Sequence, residues 1–330
     1  MKSSVADPIA CMPLQEVGCE RIDTTDSTFR ITSADGIDEL CLSIRTVGLL
    51  TPPILQAAGG AYRVVSGFRR IAACRRLGRV AIPVRLLGPE TPRLVSARLA
   101  IADNTGQRAL NLIEQARAIR LMASVLPADG NLGNALGSLG LSSNSALAQK
   151  IGLLAGLPAV IQEGVLAETL SLAMALELGG MPAEDGVLLA HLFGELKPSL
   201  NKQREITTLA TEIALRDGID LVTLFSSHPL AGIRSAPEMD RNRKIREIRV
   251  LLHQKRYPEL SRFEGRVAEA LRHLKLGPGL SLTPPRHFEA PTWTVTLAFD
   301  STAALGDAHC ALAKLIEDPA LERILKKMDL

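Results

Sequence analysis

The stretch VVSGFRRIAACRRLG (residues 64–78) decides how the amino-terminal third of this chain folds. Val64 and Val65 close a strand, Ser66 and Gly67 make a turn, and a helix runs from there until Gly78 stops it. Arg69 and Arg70 then fall in the first helical turn. Backbone N–H groups are unpaired there and carry partial positive charge, so each cation costs about 0.3–1 kcal/mol unless an anion offsets it. A Ser-Gly turn from strand to helix also offers donors and close backbone approach to a phosphate.

Working outward, PPILQAAGGAYRVVSG reads as a hairpin around Gly59 and Gly60 that leads into the helix, and AIPVRLL (81–87) as a further strand. Upstream, DGIDELCLSIRTVG places Ile37, Leu40, Cys41, Ile44 and Val47 at helical spacing, with Asp35 as cap and Gly48 as stop. STFRIT (27–32) alternates like a strand, and residues 1–26 lack a sustained period and read as a flexible lead-in. Residues 27–92 are thus expected to form a small α/β module.

Beyond Pro92 the pattern turns helical. PRLVSARLAIADN is one helix, and NLIEQARAIRLMASVL another, with Asn111 and Glu114 spaced as a capping box. Residues 93–225 read as a Leu/Ala-rich helical domain, and FSSHPLAGIRSAPEMD as a linker over 226–240. Residues 241–330 follow as basic helices and a small α+β unit, in which GPGLSLTPP and TWTVTLAFD are strands and Ser301 caps a helix. The expected fold class is therefore α+β multidomain: an α/β module, an all-α centre and an α+β carboxy-terminal unit.

Composition narrows the function. Of 330 residues 46% are hydrophobic and only 3% aromatic, which disfavours stacking platforms for single-stranded nucleic acid. The formal net charge of +3 is small, but Arg241 to Lys275 holds eleven Lys or Arg against four Glu. That run, Arg243 and Lys244 included, could meet DNA phosphates or be the solvated face of a dimerising helix pair. Five scattered cysteines without CxxC spacing read as reduced, and six dispersed histidines lack ligand spacing. No apolar run resembles a signal peptide or membrane span, so a cytoplasmic, DNA-associated protein without membrane partners is expected. Walker-type, GxSxG and HExxH motifs are absent.

The order SIRTVGLLTPPIL, VVSGFRRIAACRRLG, IPVRLL and ADNTGQRALNLIEQARAI resembles the amino-terminal domain of the ParB family of chromosome and plasmid partition proteins, with its GxRR turn and ENxQR segment. SSNSALAQKIGLLAGLPAVIQEGVL is similar to the family's helix-turn-helix. The resemblance implies a ParB/sulfiredoxin-like module that binds CTP with Mg²⁺, a central domain that binds double-stranded DNA, and a homodimer. It puts Ser66, Gly67, Arg69 and Arg70 at the nucleotide phosphates and Asp103 with Asn104 near the metal. Arginine forks onto phosphate oxygens, and carboxylate with amide oxygen suits a hard cation. In the recognition helix, expected over Ser143 to Leu154, the base-reading candidates are Ser143, Asn144, Ser145, Gln149 and Lys150.

Two departures bear on catalysis. Phe68 stands where the family has Glu, and an apolar ring accepts no hydrogen bond. Counting back from Glu114, the ENxQR positions read Asp103, Asn104, Thr105, Gly106 and Gln107, with Arg108 displaced by one. Weak CTP hydrolysis and a nucleotide-independent DNA adaptor both stay open. A sulfiredoxin-like ATP-dependent enzyme is disfavoured, since the turn has no thiol. From the residues alone, Arg69 and Arg70 could instead contact Glu90 or Asp103, Asn104 could end its helix in the left-handed region, and the Ser/Asn cluster could be a helix cap.

Overall fold

A buried carboxylate organises the amino-terminal half. Glu114 has a side chain with no exposure and sits at the third position of the helix Leu112–Val125, whose cap is Asn111. Asn111 accepts from the Glu114 N–H, and Glu114 accepts from the Asn111 N–H, so the expected capping box is formed. The same carboxylate accepts from the Ser33 N–H at 3.0 Å and pairs with both Arg108 nitrogens at 2.7 and 2.6 Å. Burial alone pushes this carboxyl up, but Arg108 and the N–H groups of Ser33 and Asn111 outweigh it and hold it at about 2.

The structure, a computed structural model, describes residues 12–34, 36–274, 276–277, 279–285 and 292–326. The proposed cap Asp35, together with Cys11, Lys275 and His287, lies outside the described residues. The chain divides into two compact units, residues 1–200 and 201–330.

The first unit begins with strands β1 (Leu14–Gly18) and β2 (Ile22–Asp23), followed by α1 (Asp38–Val47), β3 (Ile54–Ala58), β4 (Ala61–Ser66), α2 (Phe68–Arg76) and β5 (Ala81–Leu87). The sheet order is β1-β5-β3-β4-β2. β1 is antiparallel to β5 and β3 to β4, while β3 runs parallel to β5 and β2 to β4. Leu55, Val64, Ile82 and Val84 of the sheet pack with Cys41 and Ile44 of α1 and Ile71, Ala73 and Cys74 of α2 in one core. Gly59 and Gly60, both at positive φ, turn the hairpin as expected.

Two expectations are corrected. Residues 14–23 are not a lead-in: β1 covers one sheet edge and β2 the other, and Arg75 of α2 fastens the link between them by donating to the Cys19 and Ile22 carbonyls. STFRIT is not a strand. Its alternation buries Phe29 and Ile31, each 1% exposed, inside an unladdered segment that Asp26 turns by accepting from the Thr28 N–H.

The helices α3 (Arg93–Thr105), α4 (Leu112–Val125), α5 (Leu132–Gly137), α6 (Ser145–Leu153), α7 (Ala159–Leu166), α8 (Leu172–Gly179) and α9 (Ala183–Leu196) complete this unit. A Cβ on Gly152 would lie 3.1 Å from Ile119 Cγ2, so α6 packs closely on α4.

The second unit holds α10 (Leu200–Asp217), α11 (Leu221–Ser226), α12 (Leu230–Ser235), α13 (Arg241–Arg256), α14 (Pro258–His273), the antiparallel strands β6 (Leu280–Thr283) and β7 (Thr294–Leu297), α15 (Thr302–Glu317) and α16 (Pro319–Lys326). Ser301 caps α15 as expected. Segment 226–240 is not purely a linker, because it carries α12 with Leu230 fully buried. Arg249 pairs with Glu205 at 2.7 Å and Arg256 with Glu212 at 2.6 Å, which joins α13 to α10. Among the described residues no helix is long and apolar enough to cross a membrane.

The Glu114 arrangement has a pH signature. Its carboxyl titrates near 2 in the folded chain against 4.5 when free, so its contribution is complete above pH 4.5 and disappears as pH falls toward 2. Glu114→Gln should cost about 3 kcal/mol at pH 7. In urea unfolding, the difference between wild type and variant should shrink between pH 4.5 and 2, and a difference independent of pH would contradict the assignment.

Candidate functional site

β4 ends at Ser66, 2% exposed, and Gly67 then turns the chain into α2. Gly67 has φ 95°, and a Cβ there would sit 2.9 Å from Pro53 Cβ, so both backbone and space call for glycine. The first turn of α2 has neither a side-chain cap nor an acidic residue. Its N–H groups thus lack partners within the helix, and Arg69 and Arg70 add two cations to the same end.

The Arg70 guanidinium pairs with Asp103 Oδ2 at 2.5 Å and donates to the Thr51 carbonyl at 2.9 Å. Ser66 Oγ donates to that same carboxylate oxygen, and Gln107 Nε2 donates to the other at 3.1 Å. The carboxylate contact considered for the arginines is therefore realised at Arg70. Arg69 reaches the Gly36 carbonyl at 2.5 Å, while its Nε is buried without an acceptor. Thr32 Oγ1 is likewise buried and unpartnered.

These groups line a cleft of about 320 Å³ bounded by Ser66–Arg70, Gly48–Thr51, Phe29, Ile31 and Thr32, together with Asp103, Asn104 and Gln107. Four separate stretches thus meet, and both orphaned polar atoms belong to residues of the cleft. Asn104 is helical within α3 and does not end it in the left-handed region. Its Nδ2 donates to the Ala100 carbonyl at 2.8 Å, which leaves the amide oxygen as its acceptor. Hard oxygens from Asp103 and Asn104 fit Mg²⁺ in type. Arg108 is held by Glu114, and Phe68 stacks under the Arg30 guanidinium at 6.0 Å from the ring centre.

Gly48–Thr51 and Phe29–Thr32 were missed as lining. The GLLTPP run after α1 held the one available signal, a helix stop followed at once by residues that return to the sheet beside Gly67. Cys74 is 1% exposed in the core and burial pushes its thiol up, so no reactive thiol stands in the turn.

Among the DNA-reading candidates, Asn144 caps α6 by accepting from the Leu147 N–H at 3.1 Å. Ser143, Ser145, Gln149 and Lys150 are exposed, while Ala148 and Ile151 are buried. A Cβ on Gly133 would strike the Ser143 carbonyl, so the start of α5 is set tightly against the turn before α6. Arg243 is exposed at the start of α13. Lys244 is not: its Nζ donates to the Arg234 carbonyl at 2.7 Å and tethers the end of α12. Arg249 and Arg256 pair with Glu205 and Glu212 of α10 and Arg262 with Glu259, so part of the basic run is held by carboxylates.

Residues 5–105 match the family model of the ParB N-terminal domain. The chain is 31% identical over 131 residues to a nucleoid occlusion protein of Geobacillus kaustophilus, covering 39% of this chain and 44% of that protein. It is 30% identical over 90 residues to a probable plasmid-partitioning protein ParB of Deinococcus radiodurans, covering 27% of this chain and 30% of that one. The matched part spans less than half of these curated relatives. A solved structure, the C-terminally truncated chromosome-partitioning protein ParB from Caulobacter crescentus complexed with CTP-γ-S, aligns at 21% identity and TM-score 0.25 over 55% of this chain and 98% of that chain.

Gly67→Ala should lower stability by about 1–2 kcal/mol through its left-handed backbone alone, with a further loss from Pro53. A melting temperature equal to wild type would show that the turn does not require glycine.

Proposed function

We propose, from an amino-terminal part that is a ParB N-terminal domain, that this chain is a ParB-like protein that binds double-stranded DNA and holds a cytidine nucleotide in the cleft at the start of α2. The observation that carries the nucleotide is the cleft itself, where the Ser66-Gly67 turn, Arg69, Arg70 and two orphaned polar atoms converge. An uncapped helix end with two arginines suits a polyphosphate. The choice of CTP over other nucleotides follows the family resemblance of the amino-terminal part. Asp103 and Asn104 would hold the Mg²⁺, which would neutralise phosphate charge when bound.

In this reading the nucleotide is a ligand more than a substrate. Phe68 faces Arg30 with a ring where a carboxylate would be needed to accept a proton or orient water. The chain's own residues bind and orient: Ser66 and Gly67 shape the turn, Arg70 is held by Thr51 and Asp103, and Glu114 keeps Arg108 and the Ser33 segment in place.

DNA reading is assigned to α6, with Ser143, Ser145, Gln149 and Lys150 toward the groove and Asn144 shaping the helix end. Arg243 would add a phosphate contact. Self-association is assigned to the carboxy-terminal unit, where Leu260, Phe263, Val267 and Ala270 of α14 and Ile324 of α16 border an apolar groove of about 850 Å³. The role in partition or nucleoid occlusion, and a DNA-associated cytoplasmic location, follow from the same reading.

Isothermal titration of the full chain with CTP, ATP and GTP in Mg²⁺ tests the nucleotide. CTP should bind in preference, and Arg70→Ala should weaken it by roughly tenfold or more. No binding of any nucleotide favours the adaptor that works without one. For DNA, affinity should fall steeply with salt, and Lys150→Ala should lower it and reduce the salt slope by about one phosphate contact. A salt-independent affinity would count against the DNA assignment.

A further inference from the structure

Arg70 and Asp103 neutralise each other inside the cleft, with side chains only 13% and 20% exposed. Ser66 shares the carboxylate oxygen that Arg70 holds, and Gln107 holds the other, so Asp103 has donors on both oxygens. Arg70 has two further acceptors, the Thr51 and Pro52 carbonyls at 2.9 and 3.4 Å, and neither is charged. Each ion is therefore the other's only counter-charge among the described contacts.

This arrangement sets a condition on any anion that enters. A polyphosphate needs Arg70, but drawing the guanidinium away leaves a part-buried carboxylate beside the phosphate, two anions in one poorly solvated space. A divalent cation meets the mirror problem. It needs Asp103, and taking that carboxylate leaves the Arg70 charge with carbonyl dipoles alone. When both arrive together, phosphate oxygens face Arg70 and the cation faces Asp103 and the Asn104 amide oxygen. Every charge then keeps a partner.

We infer that the Arg70–Asp103 ion pair is a latch, which opens to a nucleotide polyphosphate only when a divalent cation enters with it. Asp103 thereby acts as a gate against metal-free polyphosphate as well as a ligand for the metal. The inference rests on the nucleotide reading and adds a coupling that belongs to this cleft. Because linkage is reciprocal, nucleotide raises the affinity for cation by the same factor that cation raises the affinity for nucleotide.

The full chain is titrated with CTP, and in parallel with inorganic tripolyphosphate, in MgCl₂ or in EDTA. Wild type should bind roughly 30-fold or more weakly in EDTA, and MgCl₂ alone should neither give binding heat nor shift the melting temperature. Asp103→Asn, checked for a cooperative melt, should bind metal-free CTP roughly tenfold more tightly than wild type does. In wild type, the Arg70 guanidinium resonance, assigned through Arg70→Lys, should shift only when CTP and Mg²⁺ are both present.

Equal affinity of wild type for CTP with and without metal overturns the latch while leaving nucleotide binding intact. So does an Asp103→Asn variant with no gain in EDTA, or a guanidinium shift with CTP alone. Failure of CTP to bind even with Mg²⁺ instead removes the nucleotide reading on which the latch stands.

Discussion

A carboxylate with no water around it must find donors on every side, and Glu114 finds them in three parts of the chain at once. The Asn111 N–H starts α4, Arg108 brings the end of the α3–α4 link inward, and the Ser33 N–H pins the segment that walls the cleft. Arg117, one turn along α4, adds a donor to the Thr32 carbonyl at 2.6 Å. The wall from Phe29 to Ser33 has no ladder of its own, so its place depends on these side chains. α4 also carries Ile119 against Gly152 of α6. One helix thus supports both the cleft wall and the proposed DNA-reading helix.

Another part of the lining is set by backbone geometry. Gly67 can enter the left-handed region and lie against Pro53 because it has no side chain, which brings the Gly48–Thr51 segment over the start of α2. Arg70 then spans the gap to Thr51 and Asp103. The cleft thus joins charge and turn chemistry to an apolar lining that includes Phe29, Ile31, Leu49 and Phe68.

Local chemistry was legible in the sequence. The Gly59-Gly60 hairpin, the Ser66-Gly67 turn, the Gly48 stop and the Asn111/Glu114 box each require particular residues within a few positions, and each is found where those residues stand. Long-range pairing was not. β1 exposes most of its side chains and β2 is two residues long, so neither carries a period, and both depend on partners some forty to seventy residues away. STFRIT shows the converse error, because alternation can bury Phe29 and Ile31 without a neighbouring strand. At the cleft, Arg70 and Asp103 could be named, but their pairing depends on how α3 crosses the end of β4, which no local pattern encodes. Lys244 looked like a free cation for the same reason: its acceptor is a carbonyl ten residues back at the end of another helix.

The glutamate pairs on α10 carry information of another kind. Glu205 meets Arg249 and Glu212 meets Arg256, so both partners advance by seven residues along their helices. Two equal steps in the same direction mean that α10 and α13 run parallel there, two turns per step. Sliding one helix by a single turn would break both pairs together and set each arginine beside the wrong neighbour. The two arginines therefore work as a vernier for the axial alignment of α13 on α10.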